Sequence, residues 1–118
     1  MNLKHFSAKE FTCDGVNCFD KMDVDTLHKL DTAREYANIP FTITSSWRSE
    51  EHNQAVGGSE NSAHLRGFAI DIACESSIDR FIILDALICV GFRRIGIAKT
   101  FIHADSDPNL SEGVTWLY

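Results

Sequence analysis

Apolar residues recur along this chain in short runs whose period shifts from irregular to helical to alternating. Residues 5–20 carry no regular period, and Phe6, Phe11 and Phe19 punctuate them as isolated hydrophobic plugs. From Asp23, a side chain suited to cap a helix, Val24, Leu27, Leu30, Ala33 (or the stem of Arg34) and Tyr36-Ala37 recur at helical spacing. This predicts a helix to about Ala37, ended by Asn38 and Pro40, with His28 facing solvent. Phe41 to Ser45 alternates and is rich in β-formers, so it predicts a strand. Ser49 followed by Glu50 and Glu51 marks the start of a short helix, which stops at Val56-Gly57-Gly58 before a polar loop, Ser59-Glu60-Asn61.

Alternation returns from Gly67: Phe68, Ile70 and Ile72 share one face of a strand, and Ala69, Asp71 and Ala73 the other. The first face reads as core, while the second sets a carboxylate between two small side chains that leave space above them. Ser76 or Ser77 starts a helix that Gly91 stops, and Ile78, Phe81, Ile82, Leu84, Leu87 and Ile88 make it apolar nearly all round, which predicts deep burial. Arg94 to Ile97 and Phe101 to Asp105 form two short strands, Asp107-Pro108-Asn109 a turn, and Val114 to Tyr118 a terminal strand. The series predicts an α+β fold, a mostly antiparallel central sheet with flanking helices, in a single domain over residues 1–118. No internal repeat or low-complexity linker interrupts it.

Composition narrows the function classes. With 118 residues, 44% of them apolar, the chain supports one core and is too short for two. A formal charge of −6 with no basic block argues against a nucleic-acid or anionic-membrane partner and against a basic wall-anchoring module. No run approaches the roughly 20 apolar residues of a membrane span. Met1 to His5 lead into no apolar stretch, so the expectation is no signal peptide, synthesis in a cytoplasm, and another route to any extracellular target. The four cysteines contain no C-x2-C pair, so an all-cysteine zinc site is not expected. Cys74 and Cys89 read as buried thiols, whereas Cys13 and Cys18 flank a loop and are placed to bridge under oxidation.

The chemistry concentrates in Ser62-Ala63-His64-Leu65-Arg66-Gly67-Phe68-Ala69-Ile70-Asp71 and in Phe101-Ile102-His103-Ala104-Asp105, where Phe101, His103 and Asp105 share a face. Two histidines and a carboxylate on neighbouring strands match the ligand set of a catalytic zinc, which keeps a fourth position open for water. The same set also serves non-haem iron. Iron sites of that kind take their second histidine downstream of an H-x-D, and no histidine follows His103.

The spacing S-x-H-x-x-G-x-A-x-D with a late F-I-H-x-D resembles the zinc D-alanyl-D-alanine metallopeptidases, grouped with lysostaphin-type enzymes and the hedgehog domain. The likeness is greatest to short single-domain peptidases of bacteriophage genomes. It extends to Thr44-Ser45-Ser46-Trp47-Arg48, His52-Asn53, Val56-Gly57-Gly58, Arg94 to Ile97 and Trp116-Leu117-Tyr118, covering about residues 40–118. The resemblance implies His64, Asp71 and His103 as ligands of one zinc per chain, Arg48 facing the substrate carbonyl, and Ser62 contacting the substrate backbone. It implies hydrolysis of peptidoglycan stem peptides at a bond involving a D-amino acid, as a D-Ala-D-Ala carboxypeptidase or an L-Ala-D-Glu-type endopeptidase, and a monomer is the expected state. Use in phage lysis or at a tail tip follows from the same likeness, with release at lysis or carriage in a virion.

The chain departs from the better-known members at Thr100, where several have a carboxylate, and at Phe101, where some have a second histidine. Asp105 is then the carboxylate nearest in sequence on the His103 face, either accepting the water's proton or hydrogen-bonding a ligand histidine. His52 reads as structural, and Trp47 and Trp116 as cleft wall or core. The departure at Thr100 keeps one alternative open, a zinc-stabilised cell-wall or protein binding module without catalysis.

Overall fold

A computed structural model describes residues 2–118. Its centre is a five-stranded sheet in the order β3-β4-β6-β5-β7, formed by β3 (Ile43–Ser45), β4 (Ala69–Ala73), β5 (Arg94–Ile97), β6 (Phe101–Asp105) and β7 (Val114–Leu117). All neighbours pair antiparallel except β5 and β7, which run parallel. Helices α1 (Val24–Ala37) and α3 (Ser77–Cys89) pack together, and Leu27, Leu30, Ile83 and Leu87 join Ile70, Ile72 and Ile102 in the core. The architecture is the expected α+β, mostly antiparallel one.

Local chemistry explains the element ends. The Asp23 carboxylate accepts from Thr26 N at 2.9 Å and Asn38 closes α1 in the left-handed region at φ 57°. Ser49 caps the short helix α2 (Glu50–Ala55) and Ser76 caps α3, each accepting an amide three residues on. The stretch expected to be irregular holds a small hairpin, β1 (Thr12–Cys13) with β2 (Val16–Asn17), turned by Asp14 and Gly15 at φ 51° and 79°. Phe6 and Phe11 are buried plugs there and Phe19 packs partly against them.

Two expectations about burial fail. Helix α3 is not deeply buried: Ile78, Phe81 and Ile88 are exposed, and only Ile83, Ala86 and Leu87 are enclosed, because one face alone meets α1 and the sheet. Cys89 lies on that open side and is exposed, in contrast to buried Cys74. Cys13 and Cys18 are both buried free thiols. His28 faces solvent, as expected. Among the described residues no helix is long and apolar enough to cross a membrane.

Candidate metal centre and cleft

Register brings the chemistry together. Asp71 on β4 pairs directly with His103 on β6, and His103 has Gly96 of β5 on its other side. Ala69 and Ala73 flank Asp71 on the face away from the helices, as the alternation from Gly67 implied. His64 comes not from a strand but from a 3-10 turn, Ala63–Arg66. The Ser62 hydroxyl accepts the His64 amide at 3.2 Å to start that turn, and Gly67 ends it at φ 80°. Only glycine suits Gly67: a Cβ would sit 3.2 Å from Met22 Cα, on a backbone conformation that other residues avoid.

The turn delivers His64 Nε2 to 3.3 Å from Asp71 Oδ1, and His103 Nδ1 lies 3.0 Å from the same oxygen. One donor atom from each residue falls within 4.8 Å of the others, and all three side chains are buried. The outer nitrogen of each imidazole is committed elsewhere. His64 Nδ1 is 2.7 Å from the Ser46 carbonyl, which can only accept, so Nδ1 carries the proton and Nε2 presents a lone pair. His103 Nε2 is 2.6 Å from Asp105 Oδ2, which likewise leaves Nδ1 as the inward donor. Two imidazole lone pairs and one carboxylate, each braced from behind, fit a divalent metal such as zinc.

Metal-free, His103 is held toward its protonated form between Asp71 and Asp105, and its Nδ1 lone pair reaches a metal only as that proton leaves. Burial disfavours charge on Asp71, yet the hydrogen bond from His103 and the close His64 imidazole outweigh it and hold the carboxyl well below the usual carboxylate range. Burial would likewise lower His103, but its bonds to Asp105 and Asp71 raise it above the ordinary histidine value. Asp105 is held low against its own burial by His103 and then Arg94. Its second oxygen accepts from Arg94 Nε at 2.8 Å and from the Asp107 amide at 3.3 Å.

Above the triad opens a cleft of about 590 Å³, within the size range of small-molecule sites. Arg48, Ser62, Phe101, Trp116 and Tyr118 are among the residues that line it. Arg48 does not pair with Glu50 or Glu51; its guanidinium donates to Asp71 Oδ2 at 3.3 Å, Ser45 Oγ at 3.0 Å and Asn53 Oδ1 at 3.2 Å. The two tryptophans part company. Trp47 packs on the core with its Nε1 donating to Leu65 O at 3.1 Å, whereas Trp116 sits tilted against the His103 ring, 5.4 Å between centroids. Thr100 is exposed at the β5–β6 turn and outside the cleft lining. The His52 backbone amide donates to Ser49 Oγ as part of the α2 cap.

Several residues of the site carry no role that the sequence announced. Arg94 clamps Asp105 and lies 5.1 Å over the Trp116 ring. Its alternation with Gly96 was a usable signal, since both share the cleft face of β5. Gly96 itself makes room for the wall: a Cβ would stand 2.6 Å from Trp116 Nε1 and 2.7 Å from the Tyr118 ring. Arg66 reaches across to Asp107, and no local pattern announces that pair.

A mostly antiparallel sheet that presents a His–Asp–His triad at the floor of an open cleft fits a protein with a mononuclear metal site. A sequence model of the Peptidase M15 family matches residues 4–105, and the chain belongs to that family. It is therefore a zinc metallopeptidase, in a family whose members act on cell-wall peptides. No curated protein matches the chain.

Proposed function

We propose that this enzyme hydrolyses peptidoglycan stem peptides at a bond involving a D-amino acid, as a D-Ala-D-Ala carboxypeptidase or an L-Ala-D-Glu-type endopeptidase. Phage lysis or tail-associated wall penetration is the setting that suits a short domain of this kind. The chain acts as a monomer with one zinc. The observation that carries the reading is the juxtaposition of the triad, the open cleft and the Arg48 guanidinium on a single face.

His64 Nε2, His103 Nδ1 and Asp71 are the ligands. Zinc, when bound there, polarises a peptide carbonyl and lowers the pKa of water toward ~7. The Ser46 carbonyl holds the His64 tautomer, and Asp105 acts as a positioning residue that holds that of His103. Three donors already occupy the Asp105 oxygens, which favours this role over acceptance of the water's proton. Arg48 aims a fixed positive charge at the cleft, where an oxyanion develops in the transition state alone, and interactions of that type lower the barrier. Ser62, which lines the cleft, contacts the substrate backbone.

One observation favours a second reading. The position that carries a carboxylate in better-known relatives is Thr100, which lies outside the cleft, so a zinc-stabilised binding module without catalysis is the competing account. Digestion of purified peptidoglycan by zinc-loaded protein, read by mass spectrometry of released fragments, decides between them. Loss of a terminal alanine or a break within the stem supports the peptidase, and retained zinc with an intact wall supports the module.

A further inference from the structure

Arg48 is held by more than its carboxylate partner. Its Nη1 donates to Asn53 Oδ1 at 3.2 Å, and Asn53, on the short helix α2, is itself 3% exposed. The other end of that amide is also engaged: Nδ2 donates to the Ser59 carbonyl at 2.8 Å. A flip of the amide would face donor against guanidinium and oxygen against carbonyl, so the surroundings impose one orientation. The Asn53 backbone carbonyl accepts the Gly58 amide at 2.8 Å, closing the loop back over the same residue.

Gly58 completes the clasp. A Cβ there would overlap Asn53 Oδ1, stand 2.7 Å from its Cγ and 3.0 Å from Arg48 Nη1. The loop can therefore approach the amide this closely only at a glycine. Gly57, Gly58, Ser59 and Ser62 line the cleft beside Arg48.

We infer that Asn53, seated under Gly58, is a positioning residue that fixes the direction of Arg48 and ties it to the cleft loop. Its oxygen sets where Nη1 points, and its amide donor sets where the Ser59 backbone lies. The guanidinium and the loop wall thus move as a unit. This rests on the proposed role of Arg48 toward the substrate, and the test separates the two.

Asn53→Ala, Gly58→Ala, Arg48→Ala and the Arg48→Ala/Asn53→Ala double variant are compared on wall peptide, with thermal melts to confirm folding. The first two should each lower kcat about tenfold to hundredfold with little change in KM, the mark of a misdirected transition-state contact. In the Arg48→Ala background, removal of Asn53 should cost less than about threefold more, because the group it aims is gone. Losses that multiply fully, or Asn53→Ala within twofold of wild type, overturn the inference. A second readout needs no turnover: the Arg48 Nε–H signal in nitrogen-15 NMR of zinc-loaded protein. It should be rigid in wild type and mobile in Asn53→Ala and Gly58→Ala. If wild type cleaves no wall peptide the functional reading fails, and this signal alone decides: unchanged rigidity in both variants refutes the role of Asn53.

Discussion

Asp107 anchors the histidine turn to the sheet, and its removal should be felt at the metal site. Its carboxylate is wholly enclosed and accepts Arg66 Nε at 2.7 Å, with Nη2 as a second, shorter contact. The other oxygen accepts the Asn109 amide at 2.9 Å. Arg66 in turn donates to the side chain and backbone oxygens of Asn61, at 3.0 and 3.2 Å, so the segment that holds His64 is bolted to the exit of β6. Removing one partner of a buried pair costs about 3–5 kcal/mol when the survivor is left dry. The two deletions should differ in that respect. Asp107→Ala leaves a guanidinium that is 29% exposed and able to rehydrate, so about 2–3 kcal/mol is expected. Arg66→Ala strands the enclosed carboxylate and should reach the full 3–5 kcal/mol range, roughly. With an unfolding entropy of about 0.25 kcal/mol/K for a domain of this size, Asp107→Ala should lower Tm by about 8–12 °C. Arg66→Ala should lower it further. Calorimetry of metal-free protein measures both. Equal shifts, or a loss under about 2 °C for Asp107→Ala, would refute the reasoning from burial.

Two further outcomes follow from the same network. Asp105→Asn weakens the brace on His103 and should reduce zinc affinity about 10–100-fold by competition with a chelating indicator, and unchanged affinity would show that the brace is idle. The metal-free protein should be most stable in mild acid. Asp71 and Asp105 have lowered values, so their contributions are present above their ordinary 3.8 and vanish as pH falls through the folded values. His103 is raised, so its contribution is full below its ordinary 6.5 and vanishes as pH rises through the folded value. Thermal melts of metal-free protein from pH 3 to 9 check the window, and a rise in stability through neutral pH would contradict it.

How much of this was legible beforehand depends on the range of the interaction. Asp71 and His103 were legible as neighbours because the period-two alternation of β4 and β6 fixes which side chains share a face, whereas His64, on a 3-10 turn, joined the candidate triad through the family resemblance. The caps at Asp23 and Ser49 were legible, and that of α3 to within Ser76 or Ser77, because a side chain three residues from an amide is a local affair. The three-dimensional partners were not. Arg94 with Asp105, Arg66 with Asp107 and Asn53 with Arg48 depend on strand register and loop closure, which no short window contains. The apolar surround of α3 misled for a related reason. Composition reports what a helix tolerates, while burial depends on how many neighbours the fold supplies, and α3 has them on one side only. The parallel pairing of β7 with β5 was equally out of reach, since the turn residues Asp107-Pro108-Asn109 do not say to which edge the chain returns.

The most direct measurement is digestion of purified peptidoglycan by zinc-loaded protein beside a His64→Ala control, with the fragments weighed by mass spectrometry. The account predicts release of a terminal alanine or a cut within the stem peptide by the native chain, and neither by the control. An intact wall under the zinc-loaded native protein would contradict it.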